Sequence, residues 1–193
     1  MAFITSANLR RALAVLPLVM FAALPAQPLS GARTAAEAST PARLASVPPD
    51  PPRLSGPHTI QQRSNGRYLD AHDTPDRDFG VVTRPRQDNA TQRWVFRRES
   101  GRTYTIQQEH TGRFLDAHDT GDRDFRVVTR PPQPNTTQRW LVTHLGGDVY
   151  AIQQLNTRRF LDAHETLDRD FAVVTRLQQS GQQSSNTQRW IIR

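Results

Sequence analysis

The residues of this chain best suited to chemistry are an aspartate, a histidine and an arginine that recur together three times. Each copy has the segment Leu-Asp-Ala-His, followed twelve residues after its histidine by the arginine that ends Val-Val-Thr-Arg. The three sets are Asp70, His72 and Arg84; Asp116, His118 and Arg130; and Asp162, His164 and Arg176. A carboxylate accepts hydrogen bonds from paired hydroxyls, and a guanidinium donates them from a fixed fork. The combination therefore indicates binding of a polar ligand.

The same residues also fit two other roles. Duplication copies a structural Asp–Arg ion pair as faithfully as a binding site, so repetition does not distinguish a ligand pocket from a stabilising network. Histidine with aspartate could also ligate a divalent metal ion, although zinc sites need three or four ligands in one place. We expect a ligand pocket with no metal and no cofactor, and a purely structural network is the alternative.

Catalytic patterns are weak in this sequence. No serine or cysteine recurs beside the histidines as a nucleophile, and an Asp–His pair alone lacks a triad. The paired carboxylates of Asp76-Arg-Asp78 alternate with arginine, which is typical of a solvated turn. Glycoside hydrolysis needs two differentiated carboxyl groups across one cleft. We therefore predict that the protein is not an enzyme.

The recurring residues belong to a longer repeat. Ile-Gln-Gln begins at Ile60, Ile106 and Ile152, a spacing of 46 residues twice. Each copy then carries Asp-Arg-Asp-Phe and ends in Thr-Gln-Arg-Trp. We predict three tandem repeats with the boundaries 58–103, 104–149 and 150–193.

Apolar residues alternate with polar ones inside each repeat, which favours strands over helices. The middle copy has four strand candidates, separated by turn residues. They are Tyr104–Gln108, Arg113–Ala117, Phe125–Arg130 and Arg139–Thr143. Three such copies predict an all-β fold of twelve strands. A β-propeller needs about four to eight blades to close, so three units argue against it.

Three units that end in Gln-x-Trp resemble the β-trefoil of the ricin B-type lectins, and the resemblance covers residues 58–193. It implies a β-trefoil with pseudo-threefold symmetry and a carbohydrate-binding module with up to three equivalent sites. It also implies that Asp70, Asp116 and Asp162 accept hydrogen bonds from sugar hydroxyls. The glutamines and tryptophans would be structural. These are Gln92, Trp94, Gln138, Trp140, Gln188 and Trp190.

The chain departs from that family at two places. Many members have an asparagine directly before the glutamine, where this chain has threonine; the nearby asparagines, which we include in the candidate sites, are Asn89, Asn135 and Asn186. Plant-type members place a stacking aromatic where this chain has Arg84 and its counterparts, and Tyr68, Phe114 and Phe160 are assigned to packing. The sequence does not decide between neutral and acidic glycans. We expect neutral sugars, because the adjacent aspartates would repel an anion.

Strand periodicity predicts which residues face the core. Burial of a carboxylate and an imidazole is costly, so Leu69 and Ala71 are expected inside, with Asp70 and His72 outside.

The orientation of the third strand is predicted from a position that varies among the three repeats. Residues 80, 126 and 172 are Gly, Arg and Ala, and this variety indicates exposure, together with Val82 and Arg84. Phe79, Val81 and Thr83 are then expected to face inward.

The formal charge is +7, and every basic residue is an arginine. Basic residues alternate with acidic ones in the repeats and form no continuous stripe, so we do not expect a nucleic-acid partner. The absence of cysteine excludes disulfides. We expect a monomer whose partners are glycans; a non-catalytic scaffold for protein interaction is the alternative.

The N-terminal region has the pattern of an export signal. Arg10 and Arg11 precede the apolar Ala12–Ala23, which is too short to span a bilayer securely. We predict a secretory signal peptide over 1–26, a Pro/Ala/Ser-rich disordered linker over 27–57, and a secreted or periplasmic protein without a membrane span after cleavage. An uncleaved membrane anchor is the alternative.

Overall fold

The computed structural model describes residues 54–179 and 186–193. The predicted signal peptide lies outside the described residues, as does the predicted linker up to residue 53, so both remain predictions. Within the two described ranges, no helix is long and apolar enough to cross a membrane.

The described residues form one sheet of twelve strands. The strands are β1 (Pro57–Gln62), β2 (Tyr68–Ala71), β3 (Val81–Arg84), β4 (Arg93–Ser100), β5 (Thr103–Gln108), β6 (Phe114–Ala117), β7 (Val127–Arg130), β8 (Trp140–Gly146), β9 (Val149–Gln154), β10 (Phe160–Ala163), β11 (Val173–Arg176) and β12 (Trp190–Ile192). Short 3-10 turns at Pro75–Arg77, Gly121–Arg123 and Leu167–Arg169 precede β3, β7 and β11, and a fourth at Ala90–Gln92 precedes β4. The predicted all-β fold and its four strands per repeat are confirmed.

Six strands close into a barrel. β1 pairs with β12 and β4, β5 pairs with β4 and β8, and β9 pairs with β8 and β12, all antiparallel. The other six strands form three hairpins, β2–β3, β6–β7 and β10–β11, each joined to the barrel through its first strand. This arrangement is the predicted β-trefoil, and full closure of the barrel removes its exposed strand edges.

The core holds one tryptophan from each repeat. Trp94, Trp140 and Trp190 are completely buried. Each indole N–H donates to the carbonyl of the leucine that precedes the repeated aspartate, at 2.9–3.0 Å. These bonds tie the last barrel strand of a repeat to its hairpin, which fixes the position of the Leu-Asp-Ala-His segment.

The three hairpins meet around the pseudo-threefold axis. Bridges join Gly80 to Val128, Val82 to Ala172, and Arg126 to Val174. Gly80 and Val82 are buried, so their predicted exposure is wrong, whereas Arg84, Arg126 and Ala172 on the same face are partly exposed. Residues 80, 126 and 172 lie near one axis, and the Arg126 guanidinium occupies the space that a side chain at residue 80 would need.

Candidate functional site

The repeated aspartates lie beneath the hairpin surface. Asp70 is 0% exposed; its Oδ1 accepts the Ala71 backbone N–H at 2.8 Å, and its Oδ2 accepts the Gln92 amide at 3.2 Å. Asp116 and Asp162 are also buried and receive the equivalent backbone bond. The predicted outward orientation of these carboxylates is therefore wrong. Hydrogen bonds from the backbone and from Gln92 offset the cost of burial, and the alternation rule does not include them.

In the first and third repeats the arginine lies close to its aspartate, and in all three repeats it contacts the histidine. The Nη1 atom of Arg84 is 3.9 Å from Asp70 Oδ2, and its Nη2 donates to His72 Nδ1 at 3.2 Å. The Arg84 side chain is 35% exposed. Arg130 and Arg176 contact His118 and His164 at the same distance. The groups of each cluster that reach solvent are consequently the arginine and part of the histidine.

The surroundings of the clusters lower the pKa of two histidines and raise the pKa of one aspartate. Burial and the charge of Arg84 lower the pKa of His72, and burial with Arg130 lowers the pKa of His118. Burial raises the pKa of Asp162, although the Thr187 hydroxyl and the Arg176 charge act in the opposite direction. A neutral imidazole fits the role of acceptor from arginine.

The candidate asparagines organise the turn before the Gln-x-Trp segment. Asn89 Oδ1 accepts from the Thr91 hydroxyl at 2.8 Å, and its amide donates to Gln87 at 3.0 Å. Asn135 makes the same two bonds in the second repeat. Asn186 lies next to Thr187 and is partly buried. Both Asn89 and Asn135 are exposed at the edge of the turn.

The aromatic residues at the start of each hairpin border the clusters. Tyr68 is the cross-strand partner of Arg84, and Phe160 is the partner of Arg176. Phe160 is partly exposed and lines a cleft of about 300 Å³ together with Gln153 and Gln178. The sequence pattern indicated only a packing role for these rings and gave no signal for this cleft. The cross-strand register is what places each ring beside an arginine.

Sequence reasoning also missed the role of Asp-Arg-Asp-Phe. Asp78 and Phe79 both adopt φ of +51°, an unusual conformation for residues other than glycine. The Phe79 carbonyl accepts the Thr129 N–H at 3.0 Å, and the Arg113 guanidinium lies 3.6 Å above the Phe79 ring. Asp78 reaches within 3.7 Å of His118. The turn of one repeat therefore holds the hairpin of the next, and this pattern closes around all three repeats.

Metal ligation has no support in the described part of the chain. No group of three or more His, Cys, Asp or Glu residues is placed there to hold a metal ion. In the first and third clusters the arginine contacts both the histidine and the aspartate.

The sequence of this chain matches the model of a known protein family. The model of the family described as "ricin-type beta-trefoil lectin domain-like" matches residues 50–128 and 90–175. No curated protein sequence matches the chain significantly.

Solved structures with the same fold include a designed protein and natural carbohydrate-associated proteins. The designed threefold-symmetric ThreeFoil has a TM-score of 0.62 at 18% identity, covering 72% of this chain and 98% of ThreeFoil. The Polyporus squamosus lectin bound to a sialylated influenza-binding epitope has 0.60 at 16%, covering 72% and 49%. An exo-β-1,3-galactanase from Clostridium thermocellum has 0.61 at 20%, covering 73% and 30%. At these identities the similarity establishes the fold alone.

Proposed function

We propose that this chain, which belongs to the family of ricin-type β-trefoil lectin-like domains, binds carbohydrate and does not transform it. The observation that carries the proposal is the threefold presentation of a partly exposed guanidinium beside an aromatic ring. Arg84 adjoins Tyr68, Arg130 adjoins Phe114, and Arg176 adjoins Phe160. Such a pair offers donors for sugar oxygens and an apolar surface for the sugar ring.

The buried aspartates of the first and third repeats act on the ligand through their arginines. Asp70 supplies a fixed negative charge under Arg84, so the guanidinium keeps one orientation and the pair has no net charge. A neutral pair gives little attraction to anions, so neutral sugars suit these sites. The sequence predicted that the aspartate contacts the sugar and that the arginine orients the aspartate. In this proposal the roles are exchanged: the arginine contacts the sugar, and the aspartate orients the arginine.

Up to three equivalent sites follow from the repeat. The Arg–His contact recurs at 3.2 Å in each hairpin, and so does the cross-strand pairing of the arginine with an aromatic residue. Three weak sites on one rigid body raise avidity on a multivalent surface by about 10²–10⁴. We also propose export through the predicted signal peptide, which would place the sites opposite extracellular glycans; N-terminal sequencing that returns Met1 from a cytoplasmic fraction would contradict it.

The alternative function is a protein-interaction scaffold in which the same clusters only stabilise the hairpins. Its support is the number of bonds that the cluster residues make within the protein, including Asp70 to Gln92 and Asn89 to Thr91.

A glycan array separates the two functions. We expect saturable binding to neutral glycans that changes little with salt. Simultaneous change of Arg84, Arg130 and Arg176 to Gln should reduce the array signal at least about tenfold, since each site loses a charge-assisted donor. The matched control changes the exposed Arg97, Arg98 and Arg102 on the β4–β5 hairpin to Gln. An array without signal, or equal losses in both triple variants, would favour the scaffold.

A further inference from the structure

The end of the pseudo-threefold axis carries a second set of polar side chains, which shares only its histidines with the three sugar sites. It is formed where each Asp-Arg-Asp-Phe turn meets the next hairpin. The three junctions contain Asp78, His118 and Arg123; Asp124, His164 and Arg169; and Asp170, His72 and Arg77. The next equivalent position is Arg126 at the first junction, Ala172 at the second and Gly80 at the third. The first junction therefore has one arginine more than the others.

Arg126 extends toward the position that Gly80 leaves free. Its Nη2 lies 2.9 Å from the place where a Cβ on residue 80 would be, and its Cζ lies 3.3 Å away. The Arg126 Nε is buried without a hydrogen-bond partner, and no carboxylate within residues 54–179 and 186–193 lies within 4.0 Å of this guanidinium. A buried, unsatisfied donor is costly, so a ligand that accepts from it is favoured.

Among the described residues, Arg169 at the second junction has no carboxylate within 4.0 Å, and neither has Arg123. Its counterpart Arg77 lies 3.9 Å from Asp170, whereas Arg123 has no carboxylate within ion-pair distance among the described residues. The nearby Asp78 carboxylate lies instead 3.7 Å from His118 Nε2. Arg123 is exposed and so remains accessible to a ligand.

The two arginines line a cavity of about 240 Å³, together with Asp78 and His118. Two guanidiniums and one carboxylate make its charge positive even when the histidine is neutral. A second cavity of about 370 Å³ is also lined by both arginines, and so adjoins the first. Its other polar groups are the carboxylates of Asp124, Asp168 and Asp170, together with Arg169 and His164. The first cavity thus offers mainly cationic donors, and the second adds carboxylates that accept from hydroxyl groups.

We propose that this axial site binds an acidic saccharide. The oxyanion of the saccharide, a carboxylate or a sulfate or phosphate ester, lies between Arg123 and Arg126 and accepts from both guanidiniums. The planar fork of arginine suits such bidentate contacts. Hydroxyls on the sugar ring donate to the carboxylates of the adjoining cavity. This site is distinct from the three proposed neutral-sugar sites: it shares His118 with the second of them, but neither Arg123 nor Arg126 belongs to any of them.

Substitution of Arg126 tests the site without disturbing the fold, because the protein already holds Ala172 and Gly80 at the equivalent positions. We would titrate the purified full-length chain with glucuronate, glucose and inorganic sulfate by calorimetry at low salt. Glucuronate should bind saturably, and R126A and R123A should each weaken it about tenfold or more. Added salt should also weaken it. Glucose binding should be unchanged in both variants.

The matched control is R77A, which removes the same motif arginine at the junction where residue 80 is glycine. It should leave glucuronate affinity within about twofold. The proposal is overturned if glucuronate does not bind, if R126A binds it like the parent, or if R77A loses as much as R126A. Sulfate binding that depends on Arg126, without glucuronate binding, would reduce the site to one for inorganic anions and overturn the saccharide assignment. Loss of array binding in the Arg84, Arg130 and Arg176 variant bears only on the neutral sites.

Discussion

The aspartate of each Leu-Asp-Ala-His segment is buried and links separate parts of its repeat by hydrogen bonds. Asp116 is completely buried, and its two oxygens accept the Ala117 N–H at 2.7 Å and the Gln138 amide at 3.2 Å. Gln138 also donates to the Pro131 carbonyl and accepts the Gln133 N–H. The aspartate therefore joins the hairpin to the turn before the Gln-x-Trp segment.

Replacement of Asp116 by Asn should destabilise the domain. An asparagine can accept the Ala117 N–H through its oxygen, but its NH₂ group would then face the donating amide of Gln138. We expect a loss of about 2–4 kcal/mol in the free energy of unfolding, because buried donors are left unsatisfied near Arg130. Urea unfolding of the variant measures this loss.

The control for this prediction is D119N, a change of the same chemistry at an exposed position just after His118. It should alter the free energy of unfolding by less than about 0.5 kcal/mol. Equal stability of D116N and D119N would contradict the buried role of Asp116.

At the scale of elements, the Asp-Arg-Asp-Phe turn links consecutive repeats. Arg113 at the start of the β6–β7 hairpin stacks on Phe79 of the preceding repeat, and its Nε and Nη2 both donate to the Thr129 carbonyl. The consecutive positive φ angles of Asp78 and Phe79 are tolerated because these contacts hold the turn. The turn thus contributes tertiary contacts that a solvated loop would lack.

Replacement of Arg113 by Lys should weaken this link. Lysine keeps the charge but cannot donate twice to the Thr129 carbonyl while stacking on the ring. We expect the free energy of unfolding to fall by about 1–2 kcal/mol. The matched change R97K, at an exposed arginine that donates to the Gln107 side chain, should have little effect. Denaturant unfolding measures the free energy of unfolding of both variants. If R113K were as stable as R97K, the linking role of Arg113 would be contradicted.

At the scale of the whole molecule, the three junctions form a cycle around the axis. His72 lies 3.8 Å from Asp170, His118 lies 3.7 Å from Asp78, and His164 closes the cycle at 3.4 Å from Asp124. These contacts join the first repeat to the third as well as neighbours along the chain. Protonation of the histidines therefore acts on the assembly of the three hairpins.

Stability should decrease as pH falls below neutrality. The pKa values of His72 and His118 are lowered in the folded protein, mainly by burial and then by Arg84 and Arg130, despite attraction from Asp170 and Asp78. Since the unfolded chain binds protons more readily, this contribution is present above about pH 6.5 and is lost as pH falls through the folded pKa values. The raised pKa of Asp162 acts in the opposite sense, in the range above the ordinary carboxyl value.

Urea unfolding between pH 8 and pH 5.5 measures this dependence. The double variant His72→Gln and His118→Gln should show a flatter dependence of unfolding free energy on pH than the parent. His110→Gln, at a half-exposed histidine outside the three hairpins, is the control and should retain the parent slope. A slope unchanged in the double variant would contradict the assignment to these two histidines.

The sequence by itself determined the architecture of this protein. The spacing of Ile60, Ile106 and Ile152 defined three equal units, and the alternation within each unit predicted its four strands. Local patterns suffice here because strand periodicity and turn residues act over a few positions, and because triplication repeats the same signal. The convergence of Asp70, His72 and Arg84 on one hairpin was also predictable, since it needs only the pairing of neighbouring strands.

Only the tertiary structure decided which of these groups meets solvent. Asp70 lies on the face opposite Leu69, as alternation requires, yet both are buried because the Gln92 amide and Arg84 cover the carboxylate. Likewise, residues 80, 126 and 172 pack around the pseudo-threefold axis, where β-bridges pair residues more than 40 positions apart in the sequence. Burial and partner choice depend on side chains brought together by closure of the three repeats, and no local pattern contains that information.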